Sequence, residues 1–270
     1  MEPKINIGVP DNPVYSALHD RAKDYCAEHN INLIKLPESK IAEYMLNSRL
    51  DAALLSPYGY GMAVGKADYR IIPTYCLALQ DFTSEASIYF NAGLKNILSC
   101  VSPEPDDFII VIGKILLAER YGIVLNIGKV QGSPEELLKV ADAAICWTGS
   151  AHEDNALDIS EEWFATYETP LPLAFWVVRA DEEPENIEEI INSLCEENLP
   201  DSIDVFDSGI LHRNQFDRSG KIIYRYDGLV HEALEGTLEL LYYQQLLPEI
   251  PEVKIFRKDI GIEASPIEGL

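Results

Sequence analysis

Short runs of β-branched and other apolar residues alternate along this chain with stretches whose apolar positions recur at helical spacing. Residues 5–9 predict a strand, 11–13 a turn, and 14–29 a helix with Val14, Leu18, Ala22 and Cys26 along one face. A strand over 31–36, a helix over 39–48 and a strand over 51–55 follow. This β-α-β-α-β order implies parallel strands joined by right-handed crossovers, which places a ligand site at their carboxyl ends. The turns after Val9 and Leu55 are therefore the first places to expect one.

The pattern then changes. Residues 70–79 and 84–90 read as extended, with no helix between them, before alternation resumes. A helix over 107–121, a strand over 123–127, a helix from Ser133, a strand over 143–147, a helix from Ser160 and a strand over 173–179 come next. The expected architecture is α/β and two-lobed, each lobe a mixed sheet flanked by helices, with the ligand cleft between them. Residues 1–88 and 180–270 would form lobe 1 and 89–179 lobe 2, with crossings near 84–90 and 173–179. The last third reads as a glutamate-rich helix over 184–199, a loop-rich segment, and a long helix over 229–247 that packs back on lobe 1.

Composition narrows the partners. With 270 residues, 47% of them hydrophobic, the chain is long enough for two modest lobes and too apolar for disorder. No uninterrupted apolar run approaches the roughly 18 residues of a membrane span. Against 45 Asp+Glu stand only 21 Lys+Arg, a net charge of -24 that repels phosphate backbones and anionic headgroups. Nucleic acid and membrane are thus not expected as partners; a small molecule or another protein is. The five cysteines are isolated and lie in apolar runs, without zinc spacing, so they read as core residues of a cytoplasmic protein with no metal site. The opening residues lack the apolar core of a secretory signal.

Catalytic signatures are scarce. The sequence holds no GxSxG, HExxH, Walker loop or GxGxxG, so neither a nucleotide nor another cofactor is expected. Ser56-Pro57, just after a strand, suits a helix N-cap followed by N1. Such a cap at a sheet's carboxyl edge serves either as plain structure or as a seat for a ligand carboxylate. Ser133-Pro134-Glu135-Glu136 is a capping box. His152-Glu153-Asp154 are consecutive, and three consecutive side chains do not converge easily on one ion.

Several segments, in order, resemble one family. Residues 157–163 and 169–179, including Leu157-Asp158, Trp163 and Phe175-Trp176, are similar to the D-L-x-x-x-W, T-G-L-P and F-A-x-W run of the chorismate dehydratase and naphthoate synthase enzymes of the futalosine route to menaquinone. Residues 50–56 resemble that family's strand ending in serine, and Gly8 to Pro13 its glycine-asparagine-proline entry. The resemblance implies a type II periplasmic-binding-protein-like fold, and a cofactor-independent carbon-oxygen lyase acting on a chorismate-like cyclic carboxylate. It assigns Asn12 and Ser87 as catalytic and orienting groups, and Ser56 to the cleft; Tyr58, Thr148, Ser150 and His152 complete the expected ligand-binding set. Where the family carries hydroxyls that hold a carboxylate at a helix start, this chain has Asp106-Asp107-Phe108-Ile109, and those acids would repel an anion. A noncatalytic solute receptor or sensor using the same cleft for a different ligand is the alternative.

Overall fold

The computed structural model describes residues 5–93, 96–147, 156–180, 186–207 and 218–257. The chain opens with strand β1 (Ile5–Pro10), a 3-10 turn (Pro13–Leu18), helix α1 (Ala22–Glu28), β2 (Ile31–Leu36), α2 (Glu38–Leu46), β3 (Ala52–Leu55) and the short α3 (Pro57–Gly61). β1 pairs in parallel with both β2 and β3, as the alternating pattern requires. The helix expected over 14–29 is broken in two. Ala17 and Arg21, whose backbone groups a continuous helix would pair internally, instead bond Glu196 N–H (2.8 Å) and Leu194 C=O (3.1 Å) of a distant segment. Tertiary partners thus outbid local helix propensity at this point.

β4 (Tyr69–Asp81) and β5 (Ala86–Phe90) lead into the second sheet. There follow β6 (Cys100–Ser102), α4 (Phe108–Tyr121), β7 (Ile127–Lys129), α5 (Pro134–Leu137), β8 (Ala143–Trp147), β9 (Ala156–Asp158) and α6 (Ile159–Tyr167). β10 (Leu171–Arg179), α7 (Ile187–Leu194), β11 (Ser202–Phe206), β12 (Ser219–Arg225) and α8 (Gly228–Tyr243) complete the described elements. The strands form a seven-stranded sheet of order β11-β12-β4-β10-β3-β1-β2 and a five-stranded sheet of order β7-β6-β8-β5-β9. Both are mixed, and helices flank them.

β10 has all nine residues buried and lies between β3 and β4, antiparallel to each. Residues 173–179 therefore run inside the seven-stranded sheet rather than crossing between sheets. The chain leaves that sheet after Asp81, enters the other at Ala86, and returns just before Leu171. The outgoing connection is strapped down: Asp158, the N-cap of α6, accepts from Ser84 N–H (2.7 Å) and from the hydroxyl of Ser160 (2.7 Å), while the Thr83 and Ser160 hydroxyls lie 2.7 Å apart.

Three further expectations change. The strand expected over 123–127 is β7, shifted to 127–129, because Ile123 N–H turns back to Leu117 C=O (3.0 Å) and closes the end of α4. The loop-rich segment after α7 contains β11 and β12, which extend the sheet beyond β4. Gly220 lets β12 lie close to β4, since a Cβ there would stand 2.3 Å from Phe82 O and 2.4 Å from Gln80 O. The glutamate-rich helix is shorter than expected, Ile187–Leu194. The capping box at Ser133 and Glu136 forms as read, and all five cysteines are free and buried. No helix among the described residues is long and apolar enough to cross a membrane.

Candidate functional site

Three parallel strands of the seven-stranded sheet, β1, β2 and β3, end at one edge, and each hands over to a turn that contributes one polar group. After β1 comes Tyr15, after β2 comes Glu38, and after β3 comes Ser56. All three side chains are buried. Glu38 is the first residue of α2. The hydroxyls of Ser56 and Tyr15 lie close enough to its carboxyl to influence its ionisation.

The fourth partner comes from the other sheet. Phe108 N–H, the first of α4, donates to both carboxyl oxygens of Glu38 at 3.3 Å. The first N–H groups of a helix have no partner within it, so this one needs an outside acceptor. Asp107, the N-cap of α4, does not supply it. Its side chain makes no capping bond and instead accepts from Trp147 Nε1 at 2.9 Å. The Trp147 ring in turn meets Tyr15 edge-on, with centroids 6.1 Å apart. Tyr15, Glu38 and Ser56 on one side and Asp107, Phe108 and Trp147 on the other thus form one continuous contact between the sheets.

The electrostatics follow from burying two acids together. Burial pushes the Glu38 carboxyl up to about 8, the neighbouring Asp107 adds to the rise, and the Ser56 hydroxyl, Phe108 N–H and the Tyr15 hydroxyl oppose it. The starts of α2 and α4 both favour the ionised form, by about 0.3–1 kcal/mol each, which is less than desolvation takes away. Glu38 is therefore mostly a neutral acid at pH 7, able to donate one proton as well as accept. Asp107 is also raised, by burial first, with the Trp147 bond opposing and Glu104 and Asp106 adding to the rise. The Tyr15 hydroxyl is held well above its usual range by burial and then by Glu38 and Asp107.

Of the residues singled out in the sequence, Ser56 joins this cluster. It is the N-cap of α3, as the Ser-Pro pair indicates, and its Oγ accepts from Gly59 N–H at 3.3 Å. Tyr58 lies next to it in α3, half-buried. Asn12 caps the 3-10 turn that carries Tyr15, its Oδ1 accepting from Val14 N–H at 3.1 Å. Asn12→Ala is expected to cost about 1 kcal/mol through the lost cap, measurable by urea unfolding. A change below about 0.3 kcal/mol would show that the cap contributes nothing. Ser87 is buried on β5, on the pleat face it shares with Tyr89. Thr148, Ser150 and His152 lie outside the described residues.

Sequence reading missed Tyr15 and Glu38. The available signal was the rule already applied to β1 and β3: the turn after Leu36, at the end of β2, belongs to the same edge. A separate groove of about 280 Å³ lies at the other side of the seven-stranded sheet, between Gln80, Asp81 and the β11–β12 pair. Its Lys221–Asp204 ion pair, at 3.9 Å, is exposed, so the groove is solvated surface.

The matches to known proteins are structural. Protein AF1704 from Archaeoglobus fulgidus superposes with a TM-score of 0.54 at 14% identity, over 90% of this chain and 98% of that one. A protein from Bordetella bronchiseptica RB50 gives 0.51 at 11% identity, over 70% and 69%. The alkanesulfonate-binding protein SsuA from Xanthomonas axonopodis pv. citri, bound to MOPS, gives 0.48 at 12% identity, over 92% and 96%. The two superpositions above 0.5 show a shared fold, an α/β arrangement of two mixed sheets flanked by helices. The Tyr15–Glu38–Ser56 cluster lies where the ends of β1, β2 and β3 meet the start of α4. The sequence matches no family model and no curated protein. The likeness at these identities is one of fold alone, so the dehydratase and naphthoate synthase chemistry does not follow from it.

Proposed function

We propose that this protein is a noncatalytic small-molecule receptor or sensor, with its ligand site between the lobes at the carboxyl ends of β1, β2 and β3. One observation carries the reading: side chains from both lobes converge there, and the α4 N–H best placed to hold a ligand carboxylate is already taken by Glu38. A buried carboxyl and a second acid, Asp107, beside that position make it a poor seat for a dianion such as chorismate. Neutral or cationic solutes fit better, with Ser56, Tyr58 and Asn12 as candidate contacts, together with Ser87, Thr148, Ser150 and His152 as the sequence suggests. The connections at 82–85 and 168–170 are the proposed hinges, and closure about them is the motion such folds use.

The family resemblance supports a second reading, a lyase on a cyclic carboxylate with Asn12 and Ser87 as orienting groups. Thermal shift against amines, nucleosides, neutral amino acids and carboxylates, with chorismate included and followed for elimination, separates the two. The receptor reading expects at least one neutral or cationic class to raise Tm by about 5 °C or more when present at 100 times its Kd. It expects chorismate neither to bind nor to turn over. Turnover of chorismate would establish the lyase, and no shift with any class would remove the receptor reading.

A further inference from the structure

We propose that Glu38 is a latch between the lobes: carried at the start of α2 on one lobe, its carboxyl holds the first N–H of α4 on the other, and a ligand entering the cleft has to take its place. Three observations carry this. The contact joins residues 70 apart in sequence and belongs to no sheet or helix ladder. Glu38 is buried with Phe108 N–H donating to both its oxygens, so the molecule itself supplies the acid group that a helix start accepts from a ligand. Asp107, which could have capped α4 locally, faces Trp147 instead and leaves the place to Glu38.

The groups facing Glu38 set how the latch responds to pH. They are the Tyr15 hydroxyl from the 3-10 turn, the Ser56 hydroxyl from the start of α3, and Phe108 N–H and the Asp107 carboxyl from the start of α4. Asp106 and Glu104 stand behind Asp107, with Lys129 the cation that tempers them. While Glu38 is protonated it sits beside Asp107 without repulsion. Once Glu38 ionises, as burial makes it do near pH 8, two carboxylates face each other across the lobe boundary and the closed arrangement weakens.

The contact does not depend on any ligand, whereas its role as a gate rests on the interlobe reading above. Both are tested on the full chain. Amide exchange at Phe108, read by NMR, should be slow in the wild type at pH 6 and should accelerate above pH 8 beyond the intrinsic tenfold per pH unit. Glu38→Ala should accelerate it at least tenfold at pH 6 and raise the radius of gyration in X-ray scattering, with amides of the α4 interior such as Leu116 unchanged. Glu38→Gln, which keeps an acceptor but cannot ionise, should stay protected through pH 9. Equal protection of Phe108 in the wild type and Glu38→Ala would overturn the latch, and so would loss of protection in Glu38→Gln. A neutral solute from the thermal screen that carries a hydrogen-bond acceptor should bind Glu38→Ala about tenfold more tightly than the wild type, because no internal competitor for Phe108 N–H remains. Equal affinity would overturn the gate. If no solute binds, the receptor reading fails while the exchange result still decides the latch.

Discussion

Replacing Trp176 with alanine is expected to destabilise the protein by about 3–5 kcal/mol, the range for truncating a fully buried tryptophan. Trp176 is 0% exposed and sits in β10 opposite Leu54 of β3. Its strand is the one that joins the parallel β1–β2–β3 half of the sheet to the β4–β12–β11 half. A cavity there removes packing from both halves at once, and the well-ordered sheet around it cannot collapse to fill the space. Equilibrium urea unfolding measures the loss, and a fall in Tm of about 10 °C should accompany it. A cost below about 1 kcal/mol would mean that β10 is not the centre of the sheet.

The second large effect is a dependence of stability on pH that runs opposite to that of most acidic clusters. Glu38 titrates near 8 in the folded protein, against 4.5 without perturbation. In that interval the folded state binds a proton that the unfolded state has released, so stability falls as pH rises. The contribution is fully present below about pH 4.5 and is lost as pH passes 8, with a total on the order of several kcal/mol. Asp107 and Asp158, both raised chiefly by burial, act in the same direction at lower pH. Asp142, lowered by bonds from Leu98 N–H and Ser99, acts in the opposite direction and favours the fold above its own range. Unfolding free energies measured from pH 5 to 9 should therefore decline, and Glu38→Gln should flatten the decline between pH 6 and 8. The same slope in the variant would place the responsible proton elsewhere.

What could be read from the sequence and what could not divides along the range of the interactions. β1, β3 and β10 were legible because strands buried on both faces are continuous apolar runs, such as Ala52–Leu55. Ser56 was legible because a cap is a local event of three or four residues. β11 and β12 were not, since Asp204 and Lys221 lie on exposed faces and dilute the strand pattern at a sheet edge. The break in the helix expected over 14–29 was not, because its cause lies at residues 194–196. Glu38 was hidden for the same reason: at the start of a helix a glutamate is ordinary, and only its bond to Phe108 marks it. Asp107 was noticed from the sequence as an acid where a carboxylate would sit, and the structure adds that an internal carboxyl occupies the adjoining N–H.

Hydrogen–deuterium exchange on the wild-type protein, with and without the solute that gives the largest thermal shift, tests the location of the site most directly. Binding between the lobes slows exchange at the turns after β1, β2 and β3, around residues 12–18, 38–41 and 56–61, together with residues 104–110 at the start of α4. Slowing confined to Gln80, Asp81 and the β11–β12 pair, with those turns unchanged, would place the ligand in the peripheral groove and contradict the interlobe site.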